Sequence, residues 1–221
     1  VLFLFDIDGT LVGTHGAGLR ALDRAFAELH GVDGGMRGIA ADGKTDPLIV
    51  EEMFHAHLGR APGDEEYHGI IGRYLEHLTR EVAETPRYTI VPGVVEALDV
   101  LTERNETIGL ATGNVARGAE IKLMRGDLWR RFAFGGYGSD AGDRAALVGH
   151  AIARGEAHAG RKFARAEVVV IGDTPRDVAA AHANGAIAWG VATGPHRPDR
   201  LRAAGADVVM ETLEELPGYL R

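Results

Sequence analysis

The chain has 221 residues, 45% of them hydrophobic, and a formal net charge of −8 from 24 basic and 32 acidic side chains. That length suits one domain or a core domain with an insertion, and the negative balance repels a nucleic-acid backbone. The chain has no cysteine, which excludes disulfides, thiolate metal sites and a cysteine nucleophile. No apolar run approaches the roughly 20 residues that span a bilayer. The expectation is a soluble cytoplasmic protein, monomeric or homodimeric, with no nucleic-acid or membrane partner. From the start at Val1 rather than methionine, a few leading residues are expected outside this numbering.

The first stretch, Val1 to Phe5, is an apolar run that reads as a strand buried on both faces, and it ends on Asp6-Ile7-Asp8-Gly9-Thr10. Asp6 and Asp8 leave an extended backbone on the same face, while Ile7 points into packing. Two carboxylates in one small space repel, so one takes up a proton unless a cation or a row of donors holds both ionised; a divalent metal is the economical solution. A lone Asp-x-Asp is more often only a strand ending in a polar turn. Gly9 allows a sharp turn, and the Thr10 hydroxyl either binds an anion or braces that turn.

Helical periodicity follows from Gly13 to Tyr88. Leu19, Leu22, Ala25, Phe26 and Leu29 predict one helix closed by Gly31. A second begins near Thr45 with Asp46 and Pro47, and a third covers about 65 to 83; no strand is predicted here. The expected arrangement is a helical unit, 14–89, inserted between two pieces of a core, 1–13 and 90–221, with crossings near Gly13 and at Val91-Pro92-Gly93. The glycines at 13, 16 and 18 lack the Gly-x-Gly-x-x-Gly spacing of a dinucleotide loop and read as a hinge.

Beyond Pro92, helices and strands alternate. Helices are expected near 93–104, 115–125, 143–154, 175–184 and 197–204, and strands near 107–111, 132–136, 167–171, 187–191 and 207–210. Trp129, Phe132 and Phe134 are expected in the core. This is the pattern of an α/β protein with a Rossmann-like, mostly parallel sheet covered on both faces, whose ligands bind beyond the carboxyl ends of the strands. Two further strand ends carry polar residues. Thr112-Gly113-Asn114 presents a hydroxyl and backbone N–H groups suited to a phosphate, although Thr and Asn there are commonly just helix caps. Gly172-Asp173-Thr174-Pro175-Arg176-Asp177 sets two carboxylates four residues apart across a first helical turn, an arrangement suited to a hard metal.

These three motifs, in this order, resemble those of the haloacid dehalogenase superfamily, and within it the phosphoglycolate-phosphatase-like branch. The resemblance runs the length of the chain and implies a Rossmann-like core with an inserted α-helical cap. It further implies an Mg²⁺-dependent phosphatase acting on a small phosphorylated metabolite. Asp6 would be the nucleophile, forming an aspartyl phosphate, and Asp8 the acid and base. The metal would be held by Asp6, Asp173 and the main-chain carbonyl of Asp8, with Asp177 reaching it through water. Thr112, Gly113 and Asn114 would bind the phosphoryl oxygens.

The chain departs from the family at its third motif, which usually carries a lysine at the start of the helix before the fourth strand. The stretch here is Ser139-Asp140-Ala141-Gly142-Asp143-Arg144, and Arg144 is the expected substitute. Lys162 falls at the wrong end of the strand. In the cap, Lys44 is the expected substrate contact. The ten histidines show neither a His-x-x-x-His nor a triad arrangement. Asp8 argues against a 2-haloacid dehalogenase or a phosphonate hydrolase. A sugar phosphomutase or a non-catalytic phosphate-binding module remain as alternatives.

Overall fold

A computed structural model describes residues 1–220 of the chain. Six parallel strands form one sheet in the order β5-β4-β1-β6-β7-β8. They span Leu2–Phe5 (β1), Thr107–Thr112 (β4), Gly135–Tyr137 (β5), Val168–Gly172 (β6), Ile187–Val191 (β7) and Val208–Met210 (β8). β1 lies between β4 and β6 with Leu2 opposite both Thr107 and Val168, so the chain beyond Phe5 emerges flanked by the ends of both neighbours. Its period-two alternation divides the core. Phe3 and Phe5 pack on one face with Leu98, Leu101 and Leu123, and Leu2 and Leu4 pack on the other with Leu147, Val148 and Ala151.

The first face is covered by α4 (Val94–Glu103) and α5 (Ala116–Met124), and the second by α6 (Arg144–Ala159) and α7 (Pro175–Ala183). α6 runs five residues past its expected end. Gly155 lies against the Leu2 side chain, where an added Cβ would sit 2.9 Å from Leu2 Cδ1. β5 begins three residues later than expected, because Trp129–Arg131 forms a 3₁₀ turn that feeds Phe132 into the core.

The stretch between β1 and α4 holds α1 (Ala17–His30), α2 (Asp46–Leu58) and α3 (Asp64–Glu84). They enclose a separate apolar cluster around Leu22, Phe26, Met53, Phe54, Tyr74 and Leu78. Thr45 caps α2 by accepting from Leu48 N–H at 3.4 Å, with Pro47 in the first turn. The crossings into and out of this helical unit are not plain coil. Val12–Gly13 (β2) and Thr89–Ile90 (β3) pair antiparallel, a ribbon too short to leave a periodic signal in sequence.

Candidate active site

Because β1, β4 and β6 run parallel, their carboxyl ends share one edge, and the residues that follow them converge there. Asp6 comes directly after β1, Thr112 closes β4, and Asp173 follows β6. Carboxylate oxygens of Asp6, Asp173 and Asp177 all lie within 4.8 Å of one another, and all three side chains are buried. Gly9 makes this approach possible. It sits at φ +82°, and a Cβ there would meet Asp173 Oδ2 at 2.4 Å.

Electrostatics in this cluster run against three ionised carboxylates. Burial, reinforced by Asp177 and Asp8 and opposed by Arg144, pushes the Asp6 carboxyl up to about 6. Burial together with Asp177 and Asp6 pushes Asp173 up to about 9. Arg144, at the start of α6, is the cation that enters the cluster. Its Nη2 lies 3.0 Å from Asp6 Oδ1, and its fork also donates to Asp177 Oδ1, with Nε at 2.9 Å. Burial alone would push the guanidinium down, but Asp177 and Asp6 outweigh it and hold it above its ordinary value. Asp177 also accepts from the backbone N–H of Thr174 at 3.0 Å and its hydroxyl at 2.7 Å.

The Thr10 hydroxyl takes the bracing role, donating to Asp173 Oδ1 at 3.3 Å, and it is fully buried. Thr112 Oγ accepts from Asn114 Nδ2 at 2.8 Å, leaving its own proton available. Lys44 borders the site but pairs with Glu52 at 2.5 Å; its backbone carbonyl presses on Gly113, where a Cβ would meet it at 2.3 Å. Lys162 is exposed and pairs with Glu156, outside the site.

Two residues were missed by the sequence reading. Lys122 of α5 is 4% exposed, and its Nζ lies 2.6 Å from both Asp8 Oδ2 and Asn114 Oδ1. The available signal was a lysine three residues after Ala119 and next to Leu123, on the buried stripe of α5. Asp46, in the first turn of α2, accepts from Val115 N–H at 2.9 Å through Oδ2, while its own N–H donates to Gly113 O at 2.8 Å. Burial pushes its carboxyl up to about 6 against the pull of Lys122. A cavity of about 510 Å³ lies between the strand ends and the helices, bordered by Asp6, Asp8, Thr112, Lys122 and Arg144 below and Leu19 and Tyr74 above.

Residues 3–191 match the family described as haloacid dehalogenase-like hydrolase. The chain is 30% identical to the probable phosphatase IndB of Dickeya dadantii (strain 3937) over 227 residues, covering 98% of this chain and 92% of that protein. It is 27% identical to the phosphoglycolate phosphatase of Synechococcus elongatus, covering 96% and 93% of the two chains. Among solved structures, a hydrolase from Pseudomonas syringae superposes with a TM-score of 0.76 at 23% identity, covering 98% and 96%. A putative β-phosphoglucomutase from Bacteroides vulgatus superposes with a TM-score of 0.72 at 20% identity, covering 98% and 86%. These two solved structures are similar in fold.

Proposed function

Since this chain belongs to the haloacid dehalogenase-like hydrolase family, we propose that it hydrolyses a small phosphate monoester through an aspartyl phosphate on Asp6, with Mg²⁺ as cofactor. One observation carries the reading: three buried carboxylates, Thr112 and Arg144 meet at the carboxyl edge of the sheet beside a cavity. An all-oxygen donor set in which burial and neighbouring carboxylates push Asp6 and Asp173 upward even beside Arg144 fits a hard divalent ion. Asp6, Asp173 and the Asp8 main-chain carbonyl would hold the ion, with Asp177 behind them. When bound, Mg²⁺ supplies charge neutralisation for the transferring phosphoryl group.

The remaining chemistry belongs to side chains of this chain. An Asp6 oxygen attacks phosphorus as the bond to the alcohol oxygen breaks, and Asp8 gives that oxygen its proton. Asp8 then takes a proton from water as the water attacks phosphorus, which releases inorganic phosphate and restores the Asp6 carboxylate. The Thr112 hydroxyl and the Gly113 N–H would donate to the phosphoryl oxygens, and Arg144 would offset charge on Asp6 and the phosphoryl group. Residues 14–89 would act as a cap that excludes water when docked through Lys44, Thr45 and Asp46. The names of the relatives support a phosphatase of the phosphoglycolate-phosphatase type. No helix among the described residues is long and apolar enough to cross a membrane.

Phosphate release from a panel of monoesters, with Mg²⁺ present and with it chelated, tests the proposal. Metal-dependent release is the expected result. Isomerisation of a hexose 1-phosphate without phosphate release would mean a mutase, and binding of phosphate without turnover would mean a non-catalytic module.

A further inference from the structure

We propose that Lys122, outside the three motifs and far in sequence from the usual third-motif lysine, positions Asp8 as the proton-transfer group; the assignment rests on the phosphatase reading above. Asp8 sits on the turn after β1 with its side chain 42% exposed. A carboxylate so placed has freedom to rotate, yet a group that moves a proton must present one oxygen to the reacting bond.

Two donors converge on the same Asp8 oxygen. Lys122 Nζ reaches Oδ2 at 2.6 Å and Asn114 Nδ2 reaches it at 2.8 Å. With both donors on Oδ2, that oxygen is occupied as an acceptor, which leaves Oδ1 as the oxygen free for proton exchange with the substrate. Lys122 is itself oriented, because a second proton goes to Asn114 Oδ1 at 2.6 Å, and Asn114 Nδ2 also donates to Thr112 Oγ at 2.8 Å. The acid–base carboxylate and the phosphoryl-binding hydroxyl are thereby tied into one network.

The helical unit roofs this network. A Cβ at Gly18 of α1 would come 3.5 Å from Lys122 Nζ and 3.7 Å from the Tyr74 hydroxyl. The Lys122 side chain is 6% exposed. A buried ammonium is costly unless paired, and Asp8 is its ion-pair partner. The helices cover the Lys122 side of the pair and strengthen its electrostatics there, while Asp8 stays open to the cavity.

The test compares kcat/KM, which reports alcohol departure, for a primary alkyl phosphate and for 4-nitrophenyl phosphate. The first needs a proton at its leaving oxygen and the second needs it far less. Lys122→Met should lower the alkyl value on the order of 10²-fold and the aryl value by less than about tenfold. In an Asp8→Asn background, adding Lys122→Met should change the alkyl value by less than about threefold, since the residue it acts through is already disabled. This double variant removes both members of the ion pair, so it answers the question even if Lys122→Met alone folds poorly. Equal losses on both esters, or full multiplication of the two losses in the double variant, would overturn the role of Lys122 while leaving the phosphatase reading intact. A wild-type protein inactive on both esters would overturn the phosphatase reading, and this assignment with it.

Discussion

Removing the Arg144 guanidinium tests the charge balance of the candidate site most directly. Arg144 is 10% exposed, Asp6 8% and Asp177 2% at the side chain, so their contacts are shielded from solvent. At an effective dielectric of about 20, a pair at 3.0 Å is attracted by roughly 5 kcal/mol before the desolvation of the guanidinium is counted. Deleting one partner of such a buried pair costs about 3–5 kcal/mol, because the other charge is left uncompensated. Arg144→Ala should therefore lower the stability of the metal-free protein by about that amount near pH 8. With about 2–4 °C per kcal/mol for a chain of this size, the melting temperature should fall by about 6 °C or more.

The loss should be smaller near pH 5. The folded-state carboxyls of Asp6 and Asp173 are raised to about 6 and about 9, so at pH 5 they carry protons and need the cation less. Turnover should fall by about 10²–10³-fold, the scale of losing one preorganised charge at a phosphoryl group, and Arg144→Lys should recover part of it. Denaturant unfolding in a chelator at both pH values, together with phosphate release, measures all three quantities. Full turnover in Arg144→Ala, or an equal stability loss at both pH values, would refute the reasoning.

Asp6→Asn should abolish turnover, whereas Asp8→Asn should cost on the order of 10²-fold with an alkyl phosphate and leave metal binding largely intact. Rapid quench and mass analysis of Asp8→Asn with an aryl phosphate should find the phosphoryl group on Asp6; an adduct elsewhere would sink the nucleophile assignment. In the metal-free protein the stability contributed by Asp173 is fully present below its unfolded value of 3.8 and is lost as pH rises toward about 9. Wild type should then lose stability relative to Asp173→Asn across that window, and Mg²⁺ should raise the wild-type melting temperature more at pH 8 than at pH 5; parallel melting curves for the two proteins would count against it. Gly113→Ala places a Cβ 2.3 Å from the Lys44 carbonyl, a clash of about 1–3 kcal/mol that should lower the docked population of the helical unit roughly tenfold to a hundredfold. Solution distance measurements between α2 and α5 check this, with an unchanged distance distribution as the contrary result.

The expected helices and sheet strands were legible in sequence because their signals are local. Apolar period and turn chemistry marked α1 to α7 and the sheet strands, and the three acidic or hydroxyl motifs stood at strand ends. The resemblance to the family's third motif singled out Arg144 as the expected substitute for the lysine, and the structure sets its guanidinium 3.0 Å from Asp6. Other features depend on neighbours far along the chain. Thr10 was open between anion and brace until Asp173, 163 residues later, accepted its proton. Lys44 is the substrate contact expected from sequence, and its pairing with Glu52 emerges only when α2 is in place. The two-residue ribbon of β2 and β3 carries no period at all, since its pairing joins Val12 to Ile90. Lys122 and Asp46 show the limit most plainly: each is a charged residue on a helix, and sequence assigns such residues to solvent by default. Only the packing of α3 against α5 and of α2's first turn against Val115 buries them, because a buried charge is tolerated where tertiary structure supplies its partner.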